Sequence, residues 1–401
     1  MTPAADGTSA AERATGSGAG TAGRDRAPEL AARFDGVRNA LSETDAGALL
    51  LGLGADLRYL TGYTAHALER LTLLVLPLDG PAALVAPRLE AMAAAASPAG
   101  AAGLVEIVAW DETDDPFALV AARVARGGGS GRLLVDPVLP ARFLLALQRA
   151  MPGRLFGLST EVLRGLRIVK SAEEVELLRR AAHAADRVIR RIATGPLIGR
   201  TELEVSRQVR DLLVEEGHDE PSFAIVASGP NGASPHHGAG ERRLRPGEPV
   251  VLDIGGTIDG YGSDITRTIW LAGPDGVQPS PEFLEVYGLV QRAQAAATAA
   301  VRPGVPCEEL DAIARGIIGD GGFGEAFIHR LGHGIGLEAH EDPYLVAGNR
   351  ERLAVGHAFS IEPGIYLDGR FGVRIEDIVV CGPDGPTVLN EAPRDLMVVP
   401  G

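Results

Sequence analysis

The segment from Val250 to Trp270 reads VVLDIGGTIDGYGSDITRTIW, two β-branched apolar runs on either side of a polar, glycine-bearing turn. That pattern predicts a β-hairpin. With the turn centred on Ile258 and Asp259, Asp253 and Asp264 face one another across the strands, each bordered by Leu, Ile or Thr. Like charges placed opposite in a buried hairpin are destabilising. At ~4 Å and an effective dielectric near 20 the repulsion is roughly 4 kcal/mol before any desolvation. A positive charge between the carboxylates removes that penalty, and a divalent cation is the simplest one that carboxylate oxygens bind. A pair of solvated turn aspartates is the plainer alternative.

Similar elements precede and follow this hairpin. Upstream, Ser171 and Glu174 have capping-box spacing, and Val175, Leu178, Ala182, Ala185, Ile189 and Ile192 make one helical stripe ended by Gly195-Pro196. Thr201 and Glu204 repeat the capping signature for a second helix that stops near Gly217. A short strand near Phe223–Ala227 and a polar loop ending in Pro235-His236-His237 lead into the hairpin. Downstream, Ser280-Pro281 starts a helix to about Val301, a second helix covers about Cys307–Ile318, and another candidate hairpin follows. The residues repeat as well. LRPGEPVVLD at Leu244–Asp253 and LAVGHAFSIE at Leu353–Glu362 share the first Leu, the Gly three places on and the final acid. About a turn at Asp368-Gly369-Arg370, Glu362 faces Glu376. Two such copies related by a pseudo-twofold bring four carboxylates to one point, and acids in apolar strands need a reason of that kind.

The remainder of the chain bounds the answer. A length of 401 residues suits two or three domains at ~150 residues each. From Met1 to about Ala27 the composition is Ala, Gly, Ser and Thr without apolar periodicity, which predicts a disordered tail. From residue 28 to about 163, apolar runs at Ala46–Leu53, Leu71–Leu76, Ala82–Ala86, Leu104–Trp110 and Leu133–Val135 alternate with helical patterns at Phe34–Leu41, Pro87–Ala96, Phe117–Arg126 and Arg142–Ala150. This predicts a separate α/β domain. Its GLGAD at Gly52–Asp56 has Leu57 where a dinucleotide motif needs its third glycine, so it reads as a turn. GGGSG at Gly127–Gly131 lacks the following Lys of a phosphate loop and reads as a linker. A net charge of -15 argues against nucleic acid or an anionic membrane as partner. Two distant cysteines, Cys307 and Cys381, make no disulfide framework, no apolar run approaches the ~20 residues of a membrane span, and no signal pattern opens the chain. These features predict a cytoplasmic protein.

Four carboxylates match the charge of two divalent cations, and a fifth ligand is expected from His333 in RLGHGIG, whose flanking glycines allow close backbone approach. Five of the nine histidines fall between His236 and His340, whereas His66, His183, His218 and His357 read as ordinary core or surface residues. Paired cations about 3.5–4 Å apart can supply hydroxide at neutral pH and polarise a carbonyl. No nucleophile elbow, HExxH helix or cysteine-based zinc pattern competes.

In the contexts LDIGG, GSDITRT, GHGIGLEAHEDP, SIEPGIY and VRIED, the residues Asp253, Asp264, His333, Glu362 and Glu376 resemble the ligand set of the pita-bread metallopeptidases, most nearly the Xaa-Pro dipeptidases (prolidases) and Xaa-Pro aminopeptidases. The resemblance runs from about Arg164 to the C-terminus, and the preceding region is similar to a creatinase-type N-terminal α/β domain. It implies an α+β pita-bread catalytic domain with an internal pseudo-twofold, spanning residues 164–401 behind an N-terminal domain at 28–163. It implies two divalent ions, manganese first and cobalt or zinc as alternatives. Asp253 would chelate one ion, Asp264 and Glu376 would bridge both, and His333 and Glu362 would complete the other. Glu362 would accept the proton of the attacking water, and His236 and His340 would steady the scissile carbonyl. Arg374 would form a salt bridge near Glu376 or touch substrate, and His237 has no assigned role. The implied reaction is hydrolysis of the bond between an N-terminal residue and proline in a small peptide, by a homodimer. Hydrolysis of a small non-peptide amide, lyase chemistry and a catalytically silent peptide-binding module are the alternatives. The dipeptidase reading needs a grip on a free carboxylate, for which Arg350 and Arg352 are the sequence candidates.

Overall fold

A computed structural model describes residues 26–127 and 130–400. The expected tail up to Asp25 and the centre of the glycine linker, Gly128 and Gly129, lie outside the described residues. The chain divides into two compact units, with the boundary between Leu166 and Arg167.

The first unit holds a six-stranded mixed sheet. Its strands are β1 (Ala46–Leu51), β2 (Leu73–Pro77), β3 (Ala82–Pro87), β4 (Val105–Trp110), β5 (Arg132–Val135) and β6 (Phe156–Leu158), in the spatial order β4-β3-β2-β1-β5-β6. The β1–β2 and β2–β3 pairs are antiparallel, and the other three are parallel. The strands β1, β2 and β3 are buried along their whole length, which is why they read as unbroken apolar runs rather than alternating ones. All five expected strands are present, and β6 is an addition. The GLGAD segment turns directly into the helix Ala55–Thr61, so Leu57 is a buried helical residue.

The second unit shows the repeat as architecture. In the first copy, the helices Ala172–Ala193 and Glu202–Glu215, both opened by complete capping boxes, cover a sheet of β7 (Glu220–Ser228), β8 (Glu248–Ile258) and β10 (Ile265–Leu271). In the second, Pro281–Ala300 and Cys307–Asp320 pack beside β11 (Gly332–Gly334), β12 (Glu341–Leu345), β13 (Ala358–Ile361) and β16 (Asp377–Cys381), with β17 (Pro386–Val388) at the sheet edge. The short strands β9 (Tyr261–Gly262), β14 (Gly364–Leu367), β15 (Phe371–Arg374) and β18 (Val398–Val399) complete the unit. No helix among the described residues is long and apolar enough to cross a membrane.

Period-two alternation then decides which side chains meet. Val250, Leu252, Ile254, Ile265 and Ile269 join Val188, Ile189, Val205 and Val209 in one core. Phe359, Ile361, Val373, Ile375 and Val379 join Phe283, Val290, Leu310 and Ile318 in another. The residues between them, Asp253, Thr266 and Thr268 in the first copy and Ser360, Glu362, Arg374 and Glu376 in the second, are therefore turned to the opposite face.

One expectation needs correction. The first hairpin turns at Asp259 and Gly260, both with positive φ (49° and 84°), rather than at Ile258 and Asp259. A two-residue hairpin turn with left-handed backbone at both positions suits Asp-Gly and strains a β-branched Ile. The shift moves the pairing by two residues, so Asp253 faces Thr266, not Asp264. A slip of two preserves the face, and Asp253 and Asp264 are diagonal neighbours on it.

Candidate metal centre

The five acid and imidazole groups predicted as ligands meet in one cavity of about 780 Å³ in the second unit. Asp264 is the second of the two residues between β9 and β10, Glu362 directly follows β13, and Glu376 sits between β15 and β16. One oxygen or nitrogen from each of Asp253, Asp264 and Glu376 falls within 4.8 Å of the others, and the same holds for His333, Glu362 and Glu376. Glu376 belongs to both sets. His333 Nε2 lies 3.6 Å from Asp264 Oδ2 and 3.3 Å from Glu362 Oε1. A Cβ on Gly332 would collide with the Ser360 carbonyl and one on Gly334 with that of Asp342, so the glycines beside His333 are required by close backbone packing.

The electrostatics are those of a cation site. Burial, followed by the charges of Glu376, Asp253 and Glu362, pushes the Asp264 carboxyl well above the usual range. Burial and the charges of Glu362 and Asp253 do the same to Glu376. Glu362 is pushed up to about 7 by burial, against the pull of Arg374. His333 is pushed down to about 3 by burial and by His340, whose ring centroid is 3.9 Å away. Its Nδ1 lies 3.1 Å from the Gly334 carbonyl, to which it donates, and this leaves the Nε2 lone pair aimed at the carboxylates. Two buried oxygens, Asp253 Oδ1 and Glu376 Oε1, have no hydrogen-bond partner. Buried carboxylate oxygens without donors are costly, and four crowded acids with a neutral imidazole form a donor set that divalent cations satisfy. The residues fit the metal.

Side chains around the five hold them in place. Arg374 Nη2 donates to Asp253 Oδ2 at 2.5 Å, Nε to Thr266 Oγ1 at 3.0 Å and Nη1 to Tyr366 Oη at 2.8 Å. Its ion pair is thus with Asp253 rather than at Glu376. Thr266 Oγ1 donates to Glu376 Oε2 at 2.6 Å, and Ser360 Oγ to Glu362 Oε1 at 3.1 Å. His236 and His340 also line the cavity, both more exposed than the five. Glu341, next to His340, is held by Lys170 Nζ at 2.6 Å and Arg167 Nη2 at 2.5 Å.

Neither Arg350 nor Arg352 lines the cavity. Arg350 is exposed beside Glu308, and Arg352 donates to the Gly304 carbonyl. The arginine that the sequence reading passed over is Arg330, three residues before His333. Its guanidinium lies 4.4 Å from the centroid of the Tyr344 ring, lines the cavity, and makes no hydrogen bond or ion pair among the described residues. His329 was also missed. It shares Tyr366 Oη at 2.8 Å, and burial holds its pKa down to about 4. The available signal was membership of the RLGHGIG motif for Arg330 and adjacency to it for His329. His218 is as ordinary as expected, bonded to the Leu213 carbonyl and Ser263 Oγ.

Residues 176–383 match the profile of metallopeptidase family M24, and residues 33–169 match the creatinase/prolidase N-terminal domain. The chain belongs to metallopeptidase family M24, and its two units are a creatinase-type N-terminal domain and a pita-bread catalytic domain. It is a metallopeptidase, a family trait that implies divalent metal ions. It is 48% identical over 364 residues to the "Probable dipeptidase PepE" of Mycobacterium tuberculosis, covering 90% of this chain and 95% of that one. The crystal structure of dipeptidase PepE from Mycobacterium ulcerans superposes with a TM-score of 0.86 at 46% identity, over 94% of this chain and 99% of that one. A prolidase from Thermococcus sibiricus gives a TM-score of 0.86 at 36% identity, over 92% and 99%.

Proposed function

We propose that the chain hydrolyses the peptide bond between an N-terminal residue and proline, and that free Xaa-Pro dipeptides are its preferred substrates. Asp253, Asp264, His333, Glu362 and Glu376 would hold two divalent cations, with Asp264 and Glu376 shared between them. Four carboxylates and one imidazole make an oxygen-rich set that suits manganese at least as well as cobalt or zinc. When bound, the cations polarise the scissile carbonyl and make water nucleophilic at neutral pH. Glu362, whose side chain is more exposed than those of Asp253 and Asp264, would take a proton from the attacking water at Oε1 or Oε2 and pass it to the leaving proline nitrogen. His236 and His340, at the open side of the cavity, would donate to the developing oxyanion. The cysteine usage supports a cytoplasmic location, and the family resemblance supports a homodimer.

The observation that carries the dipeptidase reading is Arg330. The cavity contains two arginines, and Arg374 is committed to Asp253, Thr266 and Tyr366. Arg330 offers an uncommitted guanidinium, braced on Tyr344, to a carboxylate one residue beyond the scissile bond. The test compares metal-loaded protein on Xaa-Pro and on Xaa-Pro-Xaa. Xaa-Pro is expected to be cleaved with the larger kcat/KM, and Arg330→Met to raise KM for the dipeptide by about 10–100-fold through loss of a charge-assisted contact. Equal rates on both substrates would overturn the dipeptidase assignment, and no rate on either with metal bound would overturn the peptidase reading.

A further inference from the structure

The loop that carries His236 is organised by a carboxylate outside the metal centre. Glu202, the first residue of the helix Glu202–Glu215, is fully buried in the first copy. Its Oε1 accepts from Ser228 N at 2.8 Å, Ser228 Oγ at 2.6 Å and Asn231 Nδ2 at 3.0 Å. Its Oε2 accepts from His237 Nε2 at 2.8 Å, Asn231 Nδ2 at 3.1 Å and Gly240 N at 3.4 Å. Every donor belongs to the segment 228–240, which is the last residue of β7 and the start of its connection to β8. Burial alone would raise the Glu202 carboxyl, but the bonds from Ser228, His237 and Asn231 outweigh it and hold the pKa below the usual value. The group is therefore an ionised acceptor at a helix N-terminus, where the helix dipole favours negative charge.

The other side of the same loop is wedged against the second copy. A Cβ on Gly372 of β15 would collide with the Gly232 carbonyl, and the Pro235 carbonyl lies 3.4 Å from Arg374 Nη2. His237 is directed to Glu202 while its neighbour His236 lines the cavity. Holding one of two successive side chains fixes the backbone from which the other projects.

We propose that Glu202 is a positioning residue that sets His236 against the substrate through His237 and the loop 228–240, without touching substrate or metal. This rests on the assignment of His236 to the substrate carbonyl made above. The test uses the full-length, metal-loaded protein and the substitution Glu202→Gln, which keeps the shape but turns an acceptor oxygen into a donor facing donors. The expected result is a fall in kcat on Xaa-Pro of up to about a hundredfold, of the kind caused by a misplacement of about 1 Å, with metal content unchanged and KM moving less. Introduced into His236→Ala, the same substitution is expected to lower kcat no further, because the two residues act as a unit. His237→Gln, which disturbs only one of the bonds, reads the same effect if Glu202→Gln does not fold. Normal kcat in both variants, multiplicative loss in the double variant, or loss of metal from the single one would overturn the proposal. An inactive-site role for His236 is recognised separately, since His236→Ala alone would then keep wild-type kcat.

Discussion

The two hairpins of the catalytic unit deliver their acids by different means. In the first, Asp253 projects from the middle of β8, paired with Ile225 on one side and Thr266 on the other, while Asp264 lies in the gap between β9 and β10. In the second, the register is the expected one, and both acids lie outside the ladder. Ile361 pairs with Asp377 and Gly364 with Arg374, leaving Glu362 and Glu376 in the gap. Pro363 lies in that gap and has no N–H to offer a ladder. The freed backbones bond elsewhere: Glu362 N donates to the Leu331 carbonyl and Glu376 N to the Thr266 carbonyl of the first hairpin. An acid paired on both sides, as Asp253 is, makes a rigid ligand, whereas acids in a gap are free to be tied to the rest of the site. Within the second pair the outcomes diverge, because the Glu376 side chain is fully enclosed while that of Glu362 is 16% exposed.

That divergence is broken most directly by Glu362→Gln. As the open member, Glu362 can exchange its proton with water and substrate. The variant keeps the fold and loses kcat by about a hundred- to ten-thousandfold, the usual worth of a positioned base. Circular dichroism and kcat measured on one metal-loaded sample check both halves of the statement. Near-normal turnover would remove Glu362 from proton transfer and make it a ligand like Glu376.

Removing metal tests whether both hairpins serve one centre. Without cations the acids from the two hairpins repel, and chelation is expected to lower Tm by about 5–10 °C near neutral pH. The effect has a sign in pH. Glu362 moves from an ordinary 4.5 to about 7 on folding, and Asp264 and Glu376 shift in the same direction. Groups with raised folded pKa values contribute stability below their unfolded value and lose it as pH rises through the folded one. The metal-free protein therefore loses this contribution between about pH 4.5 and 7, while bound metal takes over the charge. His333, held down to about 3, is already neutral through that window and adds nothing to it. The gap in Tm between loaded and chelated protein is expected to widen from about pH 5 to pH 8, as followed by calorimetry. A gap that is constant or narrows would show that the acids do not share a cation.

The repeat, the two helix pairs, the capping boxes of the first pair and the five convergent side chains were all legible in the chain, because each rests on local spacing and on acids in apolar strands. The register of the first hairpin was not read correctly. Asp259-Gly260 is the stronger turn signal, but the turn was centred one residue early, on Ile258 and Asp259, and a hairpin converts that error into two residues of pairing. The face survived because the slip was even. Arg330 was missed for a different reason. Its value lies in having no hydrogen-bond partner for its guanidinium among the described residues, in a cavity where that of Arg374 has four, and such a state has no signature in a linear sequence.

The corrected register also identifies a residue that the expected one would have hidden. Because Asp253 faces Thr266, the Thr266 hydroxyl lies between the hairpins, accepting from Arg374 Nε and donating to Glu376 Oε2. One hydroxyl thus couples the arginine that holds Asp253 to the shared ligand of the second copy. Thr266→Val keeps the volume and the β-branch and removes both bonds. It is expected to weaken metal binding by about 10–100-fold, the usual cost of losing a group that orients a ligand, while the loaded enzyme keeps a kcat close to normal. Metal titration followed by calorimetry, with kcat at saturating metal, reads the two quantities separately. Unchanged affinity would mean that Glu376 is oriented by its backbone tie to Thr266 alone, and that the two hairpins are joined through main chain rather than through this side chain.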